Sequence, residues 1–158
     1  MTAMLFLEVN VLETYVPKQQ PSVSVLGAKA LKIKANNLTQ LENKLEQGLA
    51  FACFVQLQVF FDLTETRFGQ ILGMSTATLR RRKESGTLSV EESHSLYQVA
   101  ALLERAIAVI GNEAQAKHWL LTPAFALNQR RPLDCAVSGV WHEEVLNLLG
   151  RIEYGVYS

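Results

Sequence analysis

The chain has 158 residues, 49% apolar and 19% charged, and its 15 basic side chains balance 15 acidic ones; a chain of that size forms one or two domains and hides roughly two thirds of its extended surface. Its longest apolar stretch is broken by Gln56, Gln58 and Asp62, well short of the about 18 unbroken apolar residues of a membrane helix. No basic residue precedes Lys18, which argues against a secretory signal, and two cysteines 82 positions apart, Cys53 and Cys135, argue for small buried thiols rather than a disulfide framework or metal site. A reducing, cytoplasmic setting is expected.

In chain order, LFLEVNVL has some strand character, but Pro17 and Pro21 bracket a polar stretch. Residues 1–37 are therefore expected to be a loose arm without firm structure. Leu38, Leu41 and Leu45 then fall at spacings of three and four, which predicts an amphipathic helix to about Gln47, stopped by Gly48. Ala50 to Phe61 is a second helix, apolar on nearly every side, with Gln56 and Gln58 left to face water. Such a helix is either central in the core or shared with a second copy of the chain.

LTETRFGQILGMSTATLRRRKESG follows. Thr64 caps a helix beginning at Glu65, Gly73 ends it, and Ser75 caps another from Thr76 to about Lys83. Two short helices joined by a tight turn form a helix-turn-helix. Small Gly69 falls where the helices cross, and Phe68, Leu72, Met74 and Leu79 supply the small core of the motif. Ser75, Thr76, Thr78, Arg80, Arg81 and Arg82 are the outward positions of the second helix, with Lys83 at its end. Residues 38–88 are thus read as a DNA-binding and dimerisation region, and 89–158 as a second domain. There, Ser89 and Glu92 form a capping box. Leu96, Val99, Leu103, Ile107 and Ile110 mark one face of a long helix ending at Gly111. Asn112 caps a helix that Pro123 terminates, turns of helix lie between Pro123 and Pro132, and Ser138 opens the last helix. On that helix Trp141, Val145, Leu148, Leu149 and Ile152 line one side, with His142, Glu143, Asn147 and Arg151 facing away. The fold class is all-α.

Charge is unevenly distributed. The segments 1–62, 63–83 and 84–158 carry 0, +4 and −4, so a basic centre and an acidic C-terminal half serve different partners. Hydroxyls at the start of the second short helix reach phosphates or base edges, and Arg80, Arg81, Arg82 and Lys83 clasp backbone phosphate, as recognition helices do. Arginine also binds guanine with two hydrogen bonds. The competing reading is a solvated helix end whose cations suit the helix dipole. Catalytic patterns fail: WHEEV lacks a second histidine, because the position four beyond His142 is Leu146, and there is no phosphate loop, serine elbow or CxxC pair. No catalytic residue, metal or cofactor is assigned.

AKHWLLTPAFAL, then RRPLD, then SGVWHEEVLNLLGRIEYG resembles the toxin-binding domain shared by Xre, MbcA and ParS antitoxins. The resemblance rests on Ala116, Trp119, Leu120, Pro123, Pro132, Leu133, Gly139, Val145, Leu149, Arg151 and Gly155; NQRRPLD departs from it where many relatives carry a glycine just before the PL turn. What the resemblance implies is a two-gene module. Its toxin has a RES domain, is similar in fold to ADP-ribosyltransferases and consumes NAD; the antitoxin holds it inactive and represses the shared operon. A homodimer acting on operator DNA is expected.

The closing GRIEYGVYS is then expected to enter the toxin. Gly155 lets the backbone leave the helix, and Tyr154 and Tyr157 offer rigid apolar area with a hydroxyl. The expected toxin contacts are Arg151, Glu153, Tyr154, Gly155, Val156, Tyr157 and Ser158, the tyrosines filling an aromatic slot while Glu153 or the Ser158 carboxylate meets cations. Trp119, Pro123, Pro132 and Leu133 are expected inside the domain. A ligand-responsive regulator is the alternative, and its mark would be an apolar pocket with the tail folded against it.

Overall fold

Side-chain caps divide the chain into helices. The computed structural model describes residues 27–155, and seven α-helices follow in order: α1 (Leu38–Glu46), α2 (Phe51–Phe60), α3 (Glu65–Ile71), α4 (Thr76–Ser85), α5 (Val90–Ile110), α6 (Glu113–Leu121) and α7 (Gly139–Glu153). Between α6 and α7 lie two 3-10 turns, Phe125–Leu127 and Pro132–Cys135. No strand occurs among the described residues, only isolated antiparallel bridges between Ala50 and Thr87 and between Ala124 and Arg130. The class is all-α.

The four predicted caps, Thr64, Ser75, Ser89 and Asn112, make their capping bonds, and Asn37 caps α1 in the same way. Each side chain accepts from the amide three residues on, and Ser89 and Glu92 form the full reciprocal box. Ser138, by contrast, makes no side-chain cap.

Helix α5 is the spine: α1 packs on it, and α6 and α7 both pack against it. Leu96, Val99, Leu102 and Leu103 are buried along its length. Helix α2 is mainly core. Phe51, Phe54, Leu57 and Phe61 are buried, and Phe54 stacks on Phe51 with ring centroids 5.1 Å apart and meets Phe68 of α3 at 5.0 Å. Its two glutamines do not simply face water. Gln56 Nε2 donates to the Ala30 carbonyl at 2.8 Å and Gln58 Nε2 to that of Leu63, because both amides lie beside backbone acceptors that lack helical partners.

The loose arm expected over residues 1–37 does not extend to its last part. Residues 27–32 form turns, with Ala28, Leu31 and Ala35 buried. The cause is Glu104 of α5, whose carboxylate accepts from the amides of Gly27 and Ala30, each at 2.6 Å. The earlier residues, 1–26, lie outside the described part.

Candidate functional site

The helix-turn-helix is assembled as its residue types require. A Cβ placed on Gly69 would stand 2.8 Å from Leu79 Cδ1, so a larger residue there would force the buried Leu79 side chain to move where α3 and α4 cross. Phe68, Leu72, Met74 and Leu79 close the small core beneath the crossing. Ser75, Thr76, Arg80 and Arg81 are exposed on α4, whereas Thr78 is half-buried. Its hydroxyl is shared with Ser75 Oγ at 3.0 Å and accepts from Arg81 Nη2 at 3.3 Å.

The basic run is less free than its sequence implies. Arg82 Nε donates to Glu92 Oε2 at 2.7 Å, and Lys83 Nζ lies 3.1 Å from Glu65. Arg67 is held at 2.7 Å by Asp134 of the second 3-10 turn. Three of the five cations of residues 63–83 are thus neutralised by the chain's own carboxylates, leaving Arg80 and Arg81 on α4. Glu92 also accepts from the Ser89 amide at 2.8 Å. Burial alone would raise its carboxyl pKa, but the hydrogen bonds from Arg82 and Ser89 and the arginine charge outweigh that and hold it below the ordinary value. Arg82 therefore ties α4 to the start of α5.

In the C-terminal domain, Ala116 and Leu120 of α6, Leu127, Pro132 and Leu133 of the 3-10 turns, and Val145 and Leu149 of α7 form one core. Trp119 is half-buried, and Pro123 is exposed rather than internal, since the chain turns off α6 at the surface through extended Thr122. Asn128 and Gln129 then take left-handed conformations, φ 54° and 63°, and fold Ala124–Arg130 back on itself. Arg130 stacks on the Trp141 ring, 4.2 Å from its centroid, which fastens this hairpin to the first turn of α7. His142, expected on the outer side, is half-buried, with Nδ1 enclosed and unpartnered among the described residues. Glu144 and Arg151, two helical turns apart, pair at 2.5 Å along the outer side of α7.

At the end of α7, Tyr154 is 80% exposed and Gly155 has φ +68°, so the helix stops with its aromatic side chain outside the core. Glu153 is paired with Arg105 of α5 at 2.5 Å. Val156, Tyr157 and Ser158 lie outside the described residues.

A family model for the antitoxin Xre-like helix-turn-helix domain matches residues 40–101, and one for the antitoxin Xre/MbcA/ParS C-terminal toxin-binding domain matches residues 105–155. The chain belongs to the Xre/MbcA/ParS antitoxins. An antitoxin Xre of Yersinia enterocolitica is 24% identical over 132 residues, covering 82% of this chain and 89% of that protein.

In this antitoxin a helix-turn-helix domain and a toxin-binding domain follow one another, and the geometry keeps Ser75, Thr76, Arg80 and Arg81 of the first and Tyr154 of the second on the surface. The anchoring carboxylates escaped sequence reasoning. Glu104 was visible only as a lone acid in the apolar run ALLERAIAVI. Ser93, fully buried, accepts from the Leu49 amide at 2.8 Å and donates to the Ser89 carbonyl at 2.7 Å, with no local signal at all. A groove of about 770 Å³ runs between the 29–32 turn, α2 and α5, lined by Lys29, Gln56, Phe60, Ile107 and Glu113 among others. No residue of α7 lines it. Residues 150–155, the described part of the closing segment, therefore do not line that groove, whereas a ligand-responsive regulator would fold its tail against such a pocket. Among the described residues no helix is long and apolar enough to cross a membrane, and no cluster of three candidate metal ligands occurs.

Proposed function

We propose that this antitoxin neutralises a RES-domain, NAD-consuming toxin by inserting its C-terminal tail into the toxin's active-site cleft, and that as a homodimer it represses its own operon through α3 and α4. The observation that carries the reading is the placement of Tyr154: a tyrosine at the last turn of a helix is an amphipathic anchor, and this one is 80% exposed inside the segment matched as toxin-binding. Tyr154, Gly155, Val156, Tyr157 and Ser158 enter the cleft. Arg151 and Glu153 already pair with Glu144 and Arg105, so each reaches the toxin by exchanging one ion pair for another, a modest change at a half-exposed site. Val59, exposed on otherwise apolar α2, supports self-association through that helix.

Deleting Val156–Ser158 tests the tail directly. Cells expressing the toxin should lose protection, while the shortened antitoxin keeps its melting temperature and its retention of a promoter fragment. Full protection by the shortened chain would refute tail insertion.

A further inference from the structure

Single exposed apolar side chains are common on protein surfaces, whereas exposed apolar side chains gathered in one region mark an interaction site. The three most exposed among the described residues, Phe125 at 88%, Val140 at 83% and Tyr154 at 80%, all lie in the stretch matched as toxin-binding. Leu38 and Val59, both outside it, are exposed by 59%. Val140 and Tyr154 bound the same helix: fourteen positions advance an α-helix by about 21 Å and return it to within about 40° of the same side. Between them on that side stand Glu144, Asn147 and Arg151, and the Glu144–Arg151 pair satisfies its own charges. The outer face of α7 is thus polar in its middle and apolar at both ends. At the amino-terminal end it is joined by the hairpin that carries Phe125, held there by the Arg130–Trp141 stack.

We propose that Phe125 and Val140 form a second apolar anchor for the toxin, at the opposite end of α7 from the tail. The assignment rests on the reading of this domain as the toxin's docking surface, and it implies a toxin face with an apolar hollow about 20 Å from the cleft that receives the tail. The toxin, and not a second copy of the chain, is the occupant because the anchor shares a helix side with Tyr154; self-association there would cover the surface the tail needs. Two separated anchors also account for the stiff link between them. An uninterrupted helix fixes their spacing, so that engaging one end prepays the orientation of the other.

The test is the affinity of purified full-length antitoxin for a purified RES-domain toxin, the partner proposed above. Phe125→Ser with Val140→Ser should raise Kd by about 30-fold, the size of a lost hot spot, at unchanged melting temperature. Leu38→Ser, an exposed apolar residue outside the domain, should leave Kd alone. Adding Tyr154→Ser should multiply the losses, since distant sites act independently. An unchanged Kd in the double variant, with Tyr154→Ser still weakening binding, overturns the second anchor and spares the tail. A double variant that alters the oligomeric state and not the toxin affinity overturns it in favour of self-association. If the wild-type antitoxin does not bind that toxin, the RES reading falls first and the anchor with it.

Discussion

Gln129 holds a conformation that its side chain resists. With φ at 63°, after Asn128 at 54°, it occupies the second central position of a turn in which the Arg130 amide donates to the Leu127 carbonyl at 3.2 Å. Both central residues left-handed is the arrangement that favours Asn-Gly. Asparagine tolerates it, while a longer side chain is strained by about 1–2 kcal/mol. Part of that is offset by the extra freedom glycine has when unfolded, about 0.4–1 kcal/mol. Gln129→Gly should therefore stabilise the antitoxin by roughly 0.5–1 kcal/mol and raise Tm by about 2 °C, measurable by circular dichroism. A lower Tm would mean that the turn has another shape in solution. Single residues were also where the sequence was most legible. The caps at Thr64, Ser75, Ser89 and Asn112 and the crossing at Gly69 depend on neighbours three to ten positions away, and every one is in place. The partners of Glu104 and Arg67 lie 74 to 77 and 67 positions away, and no local pattern records who meets whom across such distances.

Helix α4 shows how this illegibility changes a functional estimate. Counting RRRK from the sequence gives about four phosphates neutralised per copy, and a logarithmic salt slope of roughly −0.9 for each contact. The pairs Arg82–Glu92 and Lys83–Glu65 reduce the free cations to Arg80 and Arg81. Replacing either of these by glutamine should weaken retention of a promoter fragment and flatten the slope by about 0.9 per lost contact in each copy. Arg82→Gln should act on stability first. A flattening by Arg82→Gln equal to that of Arg81→Gln would place Arg82 on phosphate and not on Glu92. The same pair predicts acid behaviour. Glu92 has its pKa lowered in the fold, so its contribution is present above the ordinary value of 4.5 and is lost as the pH falls below it. At neutral pH Glu92→Gln should cost about 1–2 kcal/mol, a cap and a charged hydrogen bond together. The difference in Tm between the two proteins should shrink steadily as titration proceeds below pH 4.5, and a difference independent of pH would show that the loss is one of shape and not charge.

Two domains matched by two families need not unfold separately when they share a helix. Helix α5 carries α1 at one end and α6 and α7 at the other, and Arg67–Asp134 joins the helix-turn-helix to the second 3-10 turn. A break between the domains would have to open the α5 core at Val99, Leu102 and Leu103, all buried. Opening a continuous apolar core midway exposes surface on both sides with little entropy released, which favours one cooperative transition. The tryptophans provide a local witness, because Trp119 and Trp141 both belong to the C-terminal domain. Leu57 is buried in α2, in the other domain, and Leu57→Ala should cost about 2–5 kcal/mol. If the molecule is one cooperative unit, this substitution lowers the midpoint of tryptophan fluorescence by as much as that of far-ultraviolet circular dichroism, although both tryptophans belong to the other domain. A fluorescence midpoint that stays at the wild-type value while the dichroism splits into two steps would show that the domains unfold independently.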